Sequence, residues 1–171
     1  PEGVRAMLSI HPGPHITFAT SWPKHRSALE ATYVLSGGQT MHRMHVTQAS
    51  FRPVSGETVR LRGASIRMIN RLYAAGYGPG NYQAHHIDDG CYFGHLVDGR
   101  LVAVAGTHSI SPSAGIAVVG NVFTHPQHRG HGYATLVTSA VTAELLRTLR
   151  DVVLSVDPSN TPAVQAYHTL G

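Results

Sequence analysis

The residues with the clearest capacity for chemistry are Gln127-His128-Arg129-Gly130-His131-Gly132-Tyr133-Ala134. They lie between an apolar run, Ile116 to Phe123, and a long periodic run, Leu136 to Leu149. That order predicts a strand, a glycine turn and a helix. The first-turn amides of a helix have no internal partners, and the helix dipole adds partial positive charge there, so an anion is held at such a start. Gly130 and Gly132 let a ligand approach the main chain with no Cβ in the way. Arg129 can pair with phosphate oxygens. The chemistry implied is the binding of a diphosphate. It is not a Walker A loop, because Gly-Lys-Ser/Thr is absent and the only lysine is Lys24. It is not the dinucleotide fingerprint, because no Gly-x-Gly-x-x-Gly follows a first strand.

The elements that must position this loop can be read along the chain. Val59 to Leu61 reads as a short strand. Ala64 to Ala75 reads as a helix, with Ile66, Ile69, Leu72 and Tyr73 at three-to-four spacing. Gly76 to Gly80 breaks it, and a short helix over Asn81 to Ile87 follows. Cys91 to Val97 and Leu101 to Ser109 are strands joined by Asp98-Gly99, a strong hairpin signal. Ala114 to Thr124 is a further strand. The main helix runs from His131 to Arg150, with Leu136, Val137, Ala140, Val141, Leu145 and Leu149 as its apolar stripe. Val152 to Val156 reads as a buried parallel strand. Asn160 caps a last helix that carries Pro162 in its first turn. The order is β-α-α-β-β-β-α-β-α.

Residues 1–52 differ from the rest. Ile16 to Ala19 suggests a strand. Ala31 to Leu35 and Met41 to Val46 flank Ser36-Gly37-Gly38-Gln39 and read as a hairpin. This part is expected to be an appendage or remnant lobe beside a domain of residues 53–171.

Composition narrows the class. A length of 171 residues suits one domain, or one domain plus an appendage. An apolar fraction of 42% is enough for a core, and 13% charged residues argues against disorder. The net charge of +4 is carried by scattered arginines, so no nucleic-acid face is expected. No stretch reaches the roughly 18 apolar residues of a membrane span. The single Cys91 and the lack of a signal layout in residues 1 to 20 point to the cytoplasm. The 13 histidines include no zinc-finger or His-Glu-x-x-His spacing, and no metal is expected.

The six residues Gln127 to Gly132 resemble motif A of the GCN5-related N-acetyltransferases, Gln/Arg-x-x-Gly-x-Gly/Ala. Pro126 stands where the family has its proline lead-in, although Thr124 replaces the usual valine. Asn160-Thr161-Pro162-Ala163-Val164-Gln165-Ala166-Tyr167-His168-Thr169-Leu170-Gly171 resembles motif B, Asn-x-x-Ala-x-x-x-Tyr-x-x-Leu-Gly. The resemblance covers about residues 55 to 171. It implies an α/β fold with a central mixed sheet flanked by helices. In the family two more strands follow motif B. Here they are missing, which suggests a fragment, unordered ends, or an N-terminal hairpin in their place.

The resemblance also assigns roles. Acetyl-coenzyme A is the cosubstrate, with its diphosphate on Gln127, His128, Arg129, Gly130, His131, Gly132, Tyr133 and Ala134. Its pantetheine arm pairs with the main chain of Val122, Phe123 and Thr124, where an amide polarises the thioester carbonyl. Asn160 reaches the pantetheine, and Tyr167 protonates the leaving thiolate. Each has a plainer reading as well: Val122 and Phe123 as core, Asn160 as a cap, Tyr167 as packing. Many relatives place a glutamate base on the strand before the loop. Ala114 to Thr124 holds no carboxylate, which leaves His108, His125, Asp88, Asp89 or bulk water. The expected activity is acetyl transfer to a primary amine of a small molecule or protein, with the acceptor unknown and a homodimer open. The alternative is a coenzyme-binding sensor or partner lobe without turnover.

Overall fold

The computed structural model describes residues 1–17, 19–77 and 81–171. The chain divides into two compact units, Pro1–Gln39 and Thr40–Gly171. The first holds helices α1 (Glu2–Ile10) and α2 (Arg26–Glu30). Leu8 and Ala28 are its buried apolar residues, and the Tyr33 hydroxyl donates to the Pro12 carbonyl. Helix α1 was not legible in the sequence. The strand expected at Ile16 to Ala19 includes Phe18, which lies outside the described residues.

The second unit carries a six-stranded mixed sheet in the order β1-β6-β5-β4-β3-β2. Its strands are β1 (His42–Thr47), β2 (Val59–Arg60), β3 (Phe93–Val97), β4 (Arg100–Ser111), β5 (Ile116–Thr124) and β6 (Asp151–Val156). Its helices are α3 (Ile66–Tyr77), α4 (Ala84–Asp88), α5 (Tyr133–Leu145) and α6 (Thr161–Thr169). From β2 onward this is the expected order. The break expected at Gly76 to Gly80 falls partly on residues 78–80, outside the described residues.

The hairpin expected from Ala31 to Val46 does not form. Met41 to Val46 contributes β1, but its partner is β6, antiparallel from His42↔Val156 to Thr47↔Asp151. Ala31 to Leu35 forms no strand, and Val34 is fully exposed. Alternate residues of β1 gain burial beside β6 that a two-stranded ribbon alone would not supply.

Local chemistry explains the central strands. Asp98 and Gly99 both have positive φ, 50° and 72°, as a two-residue hairpin turn requires. Leu101 to Thr107 are all buried, because both faces of β4 are covered. On one face Ala103, Ala105, Ala117 and Val119 pack against Val137, Val141 and Leu145 of α5. On the other, Val104, Tyr92 and Phe123 pack against Ile69, Leu72 and Tyr73 of α3. Each fully buried side chain of this kind contributes about 1.5–3 kcal/mol.

Helix α5 ends at Leu145 rather than Arg150. Its main-chain bonds tighten there to three-residue spacing, Arg147 to Glu144 and Thr148 to Leu145. The Gly115 carbonyl then accepts from the amides of Arg150 and Asp151, which starts β6 beside the start of β5. Among the described residues no helix is long and apolar enough to cross a membrane.

Candidate active site

Strand β5 is the axis of the site. It pairs with β4 as far as Thr124, but with β6 only over Ile116↔Asp151, Ala117↔Val152 and Val118↔Val153. Past Val118 the two parallel strands have no shared register. Val122, Phe123 and Thr124 therefore lie on the part of β5 that has parted from β6. Phe123 is buried against α3, while Val122 packs toward α5. Among the described residues the buried Thr124 hydroxyl has no hydrogen-bond partner.

The chain leaves β5 through a tight turn. The His125 ring accepts a hydrogen bond from the Gln127 amide at 3.3 Å, and Pro126–His128 makes a single 3-10 turn. Arg129 folds back, with Nε donating to the Thr124 carbonyl at 3.4 Å and the guanidinium carbon 5.9 Å from the Phe123 ring centre. Nδ1 of His131 meets the Arg129 carbonyl at 2.9 Å, which places the proton on that nitrogen. The His131 ring stacks on Tyr133 at 5.5 Å.

Gly130 and Gly132 have φ of 80° and 77°, and among the described residues nothing lies within 4 Å of where a Cβ would stand on either. The left-handed backbone demands glycine here, and the space in front of it is open. Gly132 is the N-cap of α5 and supplies no capping side chain. The first helical bond runs from the Leu136 amide to the Gly132 carbonyl, so the amides before it need an outside acceptor. Helix α6 differs: Oδ1 of Asn160 caps the Ala163 amide at 3.3 Å. The capping expected of Asn160 is present.

Tyr167 comes from α6, which follows the other strand of the diverging pair. It lines a small, mostly apolar cleft with Met44 and Val46 of β1, Val152 and Leu154 of β6, and Thr138 of α5. The Thr138 hydroxyl is buried and has no hydrogen-bond partner among the described residues.

One polar centre was not singled out in the sequence. Asn121 sits at an irregularity in the β4–β5 register, with φ of 54°. Its side-chain carbonyl accepts from the Tyr82 hydroxyl at 2.6 Å, its amide donates to the Tyr92 hydroxyl at 2.8 Å, and its main-chain carbonyl accepts from Tyr73 at 2.5 Å. Burial raises the Tyr92 phenol above its ordinary value, against the pull of Asn121. Gly120-Asn121 inside an apolar run was the available signal, since glycine within a strand marks bulges.

Cys91 is buried just before β3. Burial raises its thiol pKa, although Arg60 donates to its sulfur at 3.0 Å and opposes the shift. A raised pKa suits an inert thiol. Among the described residues no group of three or more His, Cys, Asp or Glu side chains could hold a metal ion.

The model of the Acetyltransferase (GNAT) family matches residues 66–171. This chain belongs to that family. Solved GNAT structures superpose on it. A GNAT-family protein from Novosphingobium aromaticivorans shares 26% identity at a TM-score of 0.63, over 77% of this chain and 57% of its own. A GNAT acetyltransferase from Colwellia psychrerythraea shares 14% at a TM-score of 0.63, over 86% and 56%. A ribosomal-protein-alanine N-acetyltransferase from Brucella melitensis shares 20% at a TM-score of 0.53, over 66% and 89%. The chain thus spans little more than half of the first two relatives. No curated protein matches it. The mixed sheet with flanking helices is the GNAT fold, as its motifs implied. The GNAT family generally uses acetyl-coenzyme A. The open, uncapped start of α5 and the parted edge of β5 fit a long ligand with a diphosphate at one end.

Proposed function

We propose that this chain binds acetyl-coenzyme A and transfers its acetyl group to a primary amine of a small molecule or protein. The observation that carries this reading is the α5 start. It has no side-chain cap, two glycines with positive φ and clear space in front, and it lies directly after a strand that has parted from its neighbour.

When bound, the coenzyme supplies an acetyl group activated as a thioester. The amides at Gly132, Tyr133 and Ala134 and the Arg129 guanidinium hold its diphosphate, with Gln127, His128, Gly130 and His131 shaping the turn around it. The main chain of Val122 to Thr124 holds the pantetheine arm as an added strand, and an amide there polarises the thioester carbonyl. Asn160, beyond its cap, contacts the pantetheine. Tyr167 gives its proton to the departing thiolate. We also propose residues 1–52 as an appendage to a catalytic part of residues 53–171, joined to it by the pairing of β1 with β6. A cytoplasmic setting agrees with the unpaired Cys91.

A second reading is a coenzyme-binding module without turnover, favoured by the lack of any carboxylate on β5. Calorimetry with coenzyme A, followed by thiol release from acetyl-coenzyme A with a panel of primary amines, tests both. Binding with turnover supports the enzyme. Binding without turnover supports the module. No binding removes both.

A further inference from the structure

We propose that His108 is the group that takes the proton from the incoming amine. This rests on the acetyl-transfer reading and supplies the base that reading lacks. The β4–β5 register steps from Thr107↔Val119 to Ser109↔Val118, so His108 is the extra residue of a bulge. Bulges turn a side chain out of the ordinary alternation. Gly106 and Gly120 are direct partners, so their missing side chains would project to one face. A Cβ on Gly106 would strike the Tyr92 ring, and one on Gly120 would strike Cδ2 and Nε2 of His108. The imidazole therefore lies over the β5 main chain at Gly120, on the α3 face. Pairing of β5 with β6 has ended only two residues earlier, at Val118. The ring stands beside the mouth between the two strands.

The ring is also available. His108 is exposed, and among the described residues it makes no hydrogen bond or ion pair. The other candidates are committed or placed elsewhere. Nδ1 of His125 accepts from the Gln127 amide, and Asp88 accepts from the Gly63 amide at 2.8 Å. Asp89 closes α4 at the start of the β3 arm. The titratable groups packed on this face include phenols: Tyr73 and Tyr82 bonded to Asn121, and Tyr92 bonded to the Thr107 carbonyl. The His86 ring stands edge-on to Tyr82. In the step, an N–H bond of the substrate ammonium breaks and an N–H bond forms on His108. The freed lone pair then forms the C–N bond as the C–S bond breaks. The second proton leaves the nitrogen once the C–N bond has formed and restores the Tyr167 hydroxyl, which has given its own proton to the thiolate. His108 returns its proton to solvent, so ammonium and thioester give amide, thiol and one proton.

His108→Ala should lower kcat/KM for ethanolamine, putrescine or benzylamine by roughly 10²- to 10⁴-fold. The acidic limb of the pH profile should vanish, and added imidazole should restore part of the rate. Coenzyme A affinity should hold. A second measurement needs no acceptor. In histidine-ring NMR, coenzyme A should move the His108 signal, assigned by its loss in His108→Ala. Adenosine bisphosphate, the nucleotide end alone, should leave it in place. An unchanged pH profile in the variant, or coenzyme binding that leaves the His108 signal still, overturns the proposal. If coenzyme A does not bind, the acetyl-transfer reading fails and the role of His108 fails with it.

Discussion

Gly106 and Gly120 face each other across β4 and β5, and each is covered by a ring in place of its own side chain. Over Gly106 lies Tyr92, buried and bonded through its hydroxyl to the Thr107 carbonyl at 3.1 Å. Over Gly120 lies His108, exposed and without a hydrogen bond among the described residues. The same absence of a Cβ thus makes room for a core ring at one position and an exposed ring at the other.

The two alanine variants should separate. Gly106→Ala overpacks a ring that cannot withdraw, at a cost of about 1–3 kcal/mol. In a chain of this size that lowers Tm by about 2–4 °C per kcal/mol. Gly120→Ala meets only the far edge of a side chain that can swing away, so its Tm should stay near that of the parent. Thermal melts of both variants decide the matter. Equal losses would mean that His108 is held as firmly as Tyr92.

Arg129→Ala should weaken coenzyme A by about 1–3 kcal/mol, the range for a charge-assisted contact. Pantetheine, which lacks the diphosphate, should be affected much less. Arg129 also ties its Nε to the Thr124 carbonyl, on the stretch proposed to hold the pantetheine arm. Calorimetry with the two ligands tells these roles apart. Equal losses would assign Arg129 to bracing Thr124 and not to phosphate.

What was legible in the sequence was what short-range chemistry dictates. The loop's glycines announce themselves because positive φ excludes nearly every other residue, and Gly130 and Gly132 have it. Asp98-Gly99 and the stripe of α3 are local in the same sense. The N-terminal hairpin failed because strand pairing is not local. Gly37 and Gly38 do have the positive φ of a turn, but β1 finds its partner in β6, and His45 meets Asp151 across 106 residues of sequence. His108 was one of four candidates for the same reason. Only a bulge in one strand and a glycine in the next set it apart, and neither residue signals the other.

The contact that closes this long loop should be visible in acid. Arg150 donates to Asp151 at 2.8 Å, and Nε2 of His45 lies 2.8 Å from its other oxygen. These bonds, that of Arg150 foremost, hold the Asp151 carboxyl below its ordinary value. A carboxyl with a depressed folded value stabilises the fold above its unfolded value and loses that contribution as pH falls through the folded one. Asp151→Asn should therefore melt below the parent at neutral pH. The gap should begin to close below about pH 3.9, where unperturbed aspartate titrates, and then vanish. A gap that persists in strong acid would show that the carboxylate's charge is not what joins β1 to β6.

Tyr167→Phe tests the proposed acid. The change removes one hydroxyl and keeps the ring, so the packing against Val152 and Leu154 in its cleft should survive. If Tyr167 protonates the departing thiolate, kcat should fall by roughly 10²- to 10⁴-fold. The affinity for acetyl-coenzyme A should hardly move, because the bond matters mainly in the transition state. The alkaline limb of the pH–rate profile should also disappear, since it would report loss of the phenol's proton. The His108 variant should lose the opposite limb, so the two profiles together distinguish acid from base. Melting must be followed beside the rate, because Tyr167 shares its cleft with the buried hydroxyl of Thr138. Near-normal kcat with an unchanged melt would make Tyr167 a packing residue and leave protonation of the thiolate to water.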